Sequence, residues 1–361
     1  MVQKRRYDNI DFLKTFAIFC VVFIHSFGIK MNFWESGSVS NYIIYFLRTI
    51  LSVSVPIFFI CNGFLLFGKE LDLKKHIFKT IKYVCLTYVW ALITIMLTLL
   101  VKGVRLSVGE IINMIREWEA GWVNHLWFMG ALTRVYIIFP ILKLAVERKK
   151  ECLLYALPVL FFFVTLNRGL TIITTIERDN AWLKSFEIFD PFKDKLDWVY
   201  FYFCLGGVFY FYQDRIKEWF VKYRRKCNLA CLAIVLVNCV LVFVCGICVS
   251  NLLNLHWDVV WEGYNMPFTM LSAICVFLLS LNYEEKEGNV LAKLIRTVSV
   301  NTLGIYFVHM VIVNFWDARL SDYLPLDNPV IILMCTIIAL GLSTCITVML
   351  KKIRGISWLV K

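Results

Sequence analysis

Apolar residues run through this chain in long blocks separated by short charged ones. A block of roughly 17 to 25 mainly apolar residues is the length that carries a helix across the hydrocarbon of a bilayer. Such blocks fall near residues 10–29, 43–67, 81–101, 125–145 and 152–170, and again near 198–212, 229–250, 266–281, 299–316 and 330–350. The sixth and eighth are the shortest. The pattern predicts an all-α polytopic membrane protein of about ten transmembrane helices, forming a single membrane-embedded unit over residues 1–361. Ten crossings put both termini on one side. The longest stretch between blocks, 171–197, is mixed in charge and too short for a separate domain. The first block is as long as a full span and no small-residue cleavage pattern follows it, so it is expected to stay as the first helix and not to be removed as a signal peptide.

Composition agrees: 60% of residues are apolar, 16% aromatic and only 18% charged, which excludes an ordinary soluble globular domain. The charge then adds orientation. Twenty-four Lys and Arg fall at the termini and in the loops on the same side as them, among them Lys74, Lys75, Lys79 and the run from Arg215 to Lys226, whereas the opposite loops hold ten. Short cytoplasmic loops concentrate basic residues, so both termini are expected to be cytoplasmic, in a multi-pass protein of the cell membrane, most simply a bacterial cytoplasmic membrane. The formal charge of +12 is thus a matter of topology, and no basic stripe interleaved with aromatics points to nucleic acid. Nine of the twelve Trp (34, 118, 122, 127, 182, 198, 257, 261 and 316) lie toward the opposite, outer face. Headgroup anchoring accounts for most of them, but Trp122 and Trp127 also suit stacking on a sugar ring of an acceptor.

Cysteine changes little. The thirteen are scattered, mostly within apolar blocks, and the single C-x-x-C, Cys245 to Cys248, has neither a second pair nor a histidine beside it, so no metal or redox centre is expected.

The candidate chemistry lies in the ionisable residues retained inside apolar blocks, each of which costs about 2.5–3.5 kcal/mol on insertion scales. The first block, "NIDFLKTFAIFCVVFIHSFG", carries Asp11, Lys14 and His25. Lys14 and His25 are eleven residues apart, which places them on nearly one face of a helix and about 16.5 Å apart along its axis, with Asp11 one turn below Lys14. Snorkelling of Lys14 beside Asp11 and a packing hydrogen bond for His25 are the plain alternatives to a functional stripe. Arg48, Arg134 and His309 lie in three other blocks, and charges spread over several helices tend to converge on one polar cavity. Their alternatives are helix-end snorkelling, a structural ion pair and a packing hydrogen bond respectively.

The segments "IDFLK…VVFIHSF", "VPIFFICNGFLL", "HLWFMGAL…Y…P" and "GIYFVHMVIV", in that order, resemble the membrane-bound acyltransferase-3 family, whose members acylate sugars and related cell-surface molecules. The resemblance implies an O-acyltransferase with no bound cofactor and with acyl-CoA, acetyl-CoA above all, as co-substrate. The acceptor would be a carbohydrate or lipid-linked glycan. It places the essential first-helix histidine on His25, as a general base or a transiently acylated group, and the basic residue eleven positions earlier on Lys14, where many members have arginine. The family's "SGF" reads Asn62, Gly63, Phe64 here, and Arg48 and His309 fall at a basic and a histidine position. On this reading Lys14, Asp11, Lys74 and Lys75 receive the donor, and Arg48, Asn62, Arg134 and His309 support a polar cavity. Some relatives carry an extracytoplasmic hydrolase-like domain; here another protein, or the membrane unit alone, would complete the transfer. The sequence is also compatible with a homo-oligomer. The competing class is a transporter exporting a polysaccharide or small solute through the polar cavity, against which stands the lack of an inverted repeat or of a span broken by paired Gly or Pro. A non-catalytic partner of a surface-polymer synthase has no feature in its favour.

Overall fold

The computed structural model describes residues 6–28, 37–116, 121–176, 196–285, 288–320, 323–324 and 328–361. The apolar blocks fold as helices, and no strand occurs among the described residues. In chain order these are α1 (Asp8–Phe23), which runs into a π-helical turn at Ile24–Gly28, α2 (Val39–Leu51), α3 (Ser54–Phe67), α4 (Leu73–Lys102) and α5 (Val108–Arg116). A 3₁₀ turn, Gly121–Leu126, leads into α6 (Trp127–Arg148), followed by α7 (Glu151–Ile176), α8 (Trp198–Lys222), α9 (Arg224–Leu253) and α10 (Pro267–Ser280). Then come α11 (Val290–Arg319), α12 (Pro329–Lys352) and a final 3₁₀ turn at Ser357–Val360. Trp34, Trp118 and Trp182 lie outside the described residues.

Local chemistry sets several boundaries. The Asp72 carboxylate accepts the backbone N–H of Lys75 and starts α4, which Gly103 ends in the left-handed conformation at φ +67°. Asn289 and Asn328 cap α11 and α12 in the same manner, the latter with Pro329 in the first turn. The block expected as one helix over 43–67 is two, because Pro56 has no N–H to continue the ladder from Ser52. It sits instead in the first turn of α3, where none is needed.

Eight stretches among the described residues are long and apolar enough to cross a bilayer. The two expected spans that do not qualify are the sixth and the eighth. In α8 the second half carries Gln213, Asp214, Arg215, Lys217, Glu218 and Lys222, and α10 has only 14 residues, or about 21 Å of helix. The protein is an all-α polytopic membrane protein.

Chain contacts divide it into two compact units: Met1–Leu13 with Asn32–Glu70 and Ile141–Glu284, and Lys14–Met31 with Leu71–Pro140 and Glu285–Lys361.

In the first unit α3 and α8 meet backbone to backbone. A Cβ at Gly63 would lie 2.0 Å from the Phe203 carbonyl oxygen, and one at Gly206 would lie 2.1 Å from that of Ile60. Apolar association gains little inside a membrane, so such close approach supplies dispersion contacts in its place. Beside this seam Phe209 of α8 stacks on Phe277 of α10 with ring centroids 3.8 Å apart. The 254–266 connection is held by polar groups. Tyr45 of α2 donates its hydroxyl to the Trp257 carbonyl at 2.8 Å, Arg48 donates to both Asp258 carboxylate oxygens at 2.8 Å, and Arg168 of α7 pairs with Glu262 at 2.7 Å while lying over the Trp257 ring.

The second unit is built around α11. Trp90 of α4 stacks on Phe307 at 5.3 Å, and Asn314 donates to Thr98 of α4 at 3.1 Å. At the far end of the same pair of helices Lys102 meets Asp317 at 3.1 Å. These partners rise together in number, so α4 and α11 run parallel. The part of α1 in this unit does the same: Thr15 donates to the Ile295 carbonyl at 2.9 Å, Lys14 to the Ser299 carbonyl at 2.6 Å, and His25 lies beside His309.

Candidate active site

Three imidazoles gather in the second unit. His25 stands on the π turn that ends the first span, His309 in the middle of α11, and His125 on the 3₁₀ turn just before α6. Their ring centroids are 5.3 Å apart for His25 and His309, 5.7 Å for His125 and His309, and 6.4 Å for His25 and His125. Two of the three therefore come from non-α backbone, and π turns inside helices are frequent at functional positions. His125 and His309 are fully buried, at 1% and 0% exposure.

The hydrogen bonding of the trio is uneven. Nδ1 of His309 lies 3.2 Å from the Ile305 carbonyl oxygen, one turn back on its own helix. A carbonyl only accepts, so Nδ1 carries the proton and Nε2 of the neutral ring keeps its lone pair. Among the described residues that Nε2 meets no hydrogen-bond partner, and neither ring nitrogen of His125 does. The turn that carries His125 is nevertheless fixed, because the buried Tyr306 hydroxyl donates to the His125 carbonyl. A buried polar group left unsatisfied costs about 1–3 kcal/mol, so its retention points to a reacting molecule or water that completes it.

Lys14 begins the stripe at the other end of the same two helices. Its ammonium is half-buried on the Ser299 carbonyl, and Lys351 of α12 lies close enough to feel the charges of both Lys14 and Lys361. Lys351 in turn donates to the Val300 carbonyl at 2.9 Å, and Lys82 of α4 to the backbone oxygen of Lys361 at 2.6 Å. Here α11, α12, α4 and the chain end together concentrate positive charge. Between the two ends lie Asn301, buried and bonded to the Thr297 carbonyl at 2.7 Å, and Thr302, bonded to that of Ser299.

A model of the acyltransferase domain of the acyltransferase-3 family matches residues 7–348, nearly the whole chain. The chain belongs to that family. No curated protein and no solved structure matches it.

In this membrane acyltransferase the residues expected to serve the donor and cavity are distributed as follows. His25, His309, Lys14, Lys74, Lys75, Arg134, Trp122 and Trp127 fall in the second unit, and Asp11, Arg48 and Asn62 in the first. Asp11 pairs with Arg6 at 2.5 Å. Lys74 and Lys75 are exposed at the start of α4, Lys75 in an ion pair with the Asp72 cap at 2.6 Å. Lys79, one turn on, donates to the Tyr136 hydroxyl at 3.2 Å. Arg48 is buried, at 1%, and bound to Asp258, so it does not snorkel at a helix end. Asn62 donates to the Phe58 carbonyl within α3, and Arg134 is half-buried on α6. Trp127 is buried, whereas Trp122 is half-buried with the Lys102 ammonium over its ring at 5.7 Å. No group of three or more His, Cys, Asp or Glu among the described residues has a geometry that could hold a metal ion.

A cleft of about 230 Å³ in the first unit sets Arg6 and Lys217 against Asp8, Asp214 and Glu284, a balance that selects no polyanion.

His125 was not singled out by the sequence reading. It heads the quoted "HLWFMGAL" segment, and its one signal was a histidine placed directly before an apolar helix.

Proposed function

We propose that this acyltransferase moves an acyl group, acetyl by expectation, from cytoplasmic acyl-CoA to a hydroxyl of a cell-surface or lipid-linked glycan, with His25 as the general base. The observation that carries the reading is the parallel run of α1 and α11, with Lys14 on Ser299 at one end and His25 against His309 at the other. Lys14, together with Lys351, Lys82 and the exposed lysines that open α4, forms a positive entrance suited to the phosphates of CoA. The pantetheine arm would then follow the helix pair over about 16.5 Å to the imidazoles. There His25 takes the acceptor hydroxyl proton as oxygen attacks the thioester carbonyl, and the buried setting keeps water from competing. Trp122, half-exposed on the other approach, suits an acceptor sugar.

The test uses purified protein in lipid nanodiscs with radiolabelled acetyl-CoA or succinyl-CoA and a glycan acceptor. Acceptor-dependent release of CoA thiol with label on the glycan is the expected result. Solute passage in proteoliposomes, with no transfer from any acyl-CoA, would instead favour an exporter.

A further inference from the structure

We propose that His125 is a second catalytic imidazole of this site, donating a ring N–H to the thioester carbonyl oxygen as it becomes an oxyanion. The inference rests on the acyl-transfer reading above and deepens it. Its ground is geometric: a side chain at 1% exposure, within 5.7 and 6.4 Å of the two other imidazoles, has both ring nitrogens without a hydrogen-bond partner among the described residues. The backbone is held independently of the ring, through the Tyr306 hydroxyl on the His125 carbonyl. A ring anchored by its backbone and unsatisfied at its nitrogens is preorganised for a partner that arrives with the substrate. A neutral imidazole always carries one N–H, and in a buried setting a fixed donor aimed at developing charge is worth far more than in water.

The division of labour then follows. The acceptor O–H gives its proton to the base imidazole, and its oxygen forms a bond to the thioester carbon. The carbonyl electron pair moves onto oxygen, where His125 N–H meets it. On collapse the C–S bond breaks, the thiolate leaves with that electron pair, and it takes the proton back from the imidazolium. His125 itself neither gains nor loses a proton over the cycle. His309, whose Nδ1 proton is held by the Ile305 carbonyl, presents a lone pair and cannot make this donation as a neutral ring.

The experiment compares wild type, His25→Ala, His125→Ala, His125→Gln and Tyr306→Phe in nanodiscs, following kcat and KM for acyl-CoA and the thermal transition of each. His125→Ala should lower kcat by about 10²–10³-fold with KM for acyl-CoA unchanged, the range for loss of one oxyanion donor. His125→Gln, which keeps an N–H, should recover at least a tenth of wild-type kcat. Tyr306→Phe, which frees the turn, should lie between them. If wild type transfers, His25→Ala does not, and folded His125→Ala turns over within threefold of wild type, this inference is overturned while the acyltransferase reading stands. Equal loss in His125→Gln and His125→Ala, with KM raised in both, would also overturn it, by assigning the ring to packing. Wild type inactive toward every acyl-CoA would sink the reading and the inference together.

Discussion

The ammonium of Lys14 sits 2.6 Å from the carbonyl oxygen of Ser299, eleven residues before His25 on one helix and ten before His309 on the other. That bond keeps α1 and α11 in register, so that two residues chosen by sequence for separate reasons end at the same place. A lysine that only snorkelled would reach toward headgroups; this one is directed sideways onto a neighbouring helix. Lys14→Arg should keep most activity, since charge and approximate reach survive. Lys14→Met should raise KM for acyl-CoA by tenfold or so and leave kcat at saturation nearly unchanged, because the interaction is made alike in ground and transition states. A titration of acyl-CoA against the three proteins checks this, and an unchanged KM in Lys14→Met would count against the donor path.

His25→Ala should abolish transfer while the protein inserts and purifies normally. His309→Ala should be less severe, a loss of about 10–10²-fold, since the role proposed for it is to support a neighbouring base. Single-turnover CoA release measures both; full activity in His25→Ala would remove the mechanism.

The Arg48–Asp258 pair should matter for stability and not for transfer. Burial alone would raise the Asp258 carboxyl, but the Arg48 charge and hydrogen bond and the N–H groups of Val260 and Trp261 hold it below the ordinary carboxylate value. A lowered folded-state pKa contributes stability that is present above the unfolded value near 3.8 and is lost as pH falls below it. Thermal transitions should therefore drop on acidification below about pH 4. In Asp258→Asn this component should vanish, with a loss of about 1–3 kcal/mol at neutral pH, discounted because the carboxylate is partly exposed.

Gly206→Ala should destabilise the first unit by about 1–3 kcal/mol, because the added methyl meets a backbone oxygen that cannot step aside as a side chain can. A lowered thermal midpoint with kcat per folded molecule unchanged is the expected outcome.

Orientation is tested by introduced cysteines. One at Lys222, beside the tight turn between α8 and α9, should react with impermeant reagent only from the cytoplasmic side, and one at Lys184 only from outside. The reverse pattern would invert the donor path.

Much of this was legible in the sequence because it depends on local order. Apolar block length gave the helices, and the polar stripe of the first block placed Lys14 and His25 on one face. The two spans that fell short did so where length and charge were already marginal. The Asp258 partner of Arg48 was not legible, since nothing local ties residues 210 positions apart. Nor was His125: a histidine at a helix start reads as a cap or anchor until three-dimensional packing sets it against two others. The break after Leu51 was written in Pro56, but a proline early in an apolar run reads equally as an internal kink.

The parallel run of α1, α4 and α11 bears on how this enzyme comes into being at the ribosome. Helices that point the same way across a bilayer cannot be joined by a short turn, so each must wait for an intervening return pass. His25 is made 284 residues before His309. A nascent chain therefore holds His25 and Lys14 in the bilayer through that interval without the helix that receives them. A stop before α11 leaves an inserted chain without His309, exposing the very groups by which quality control can recognise an unfinished one.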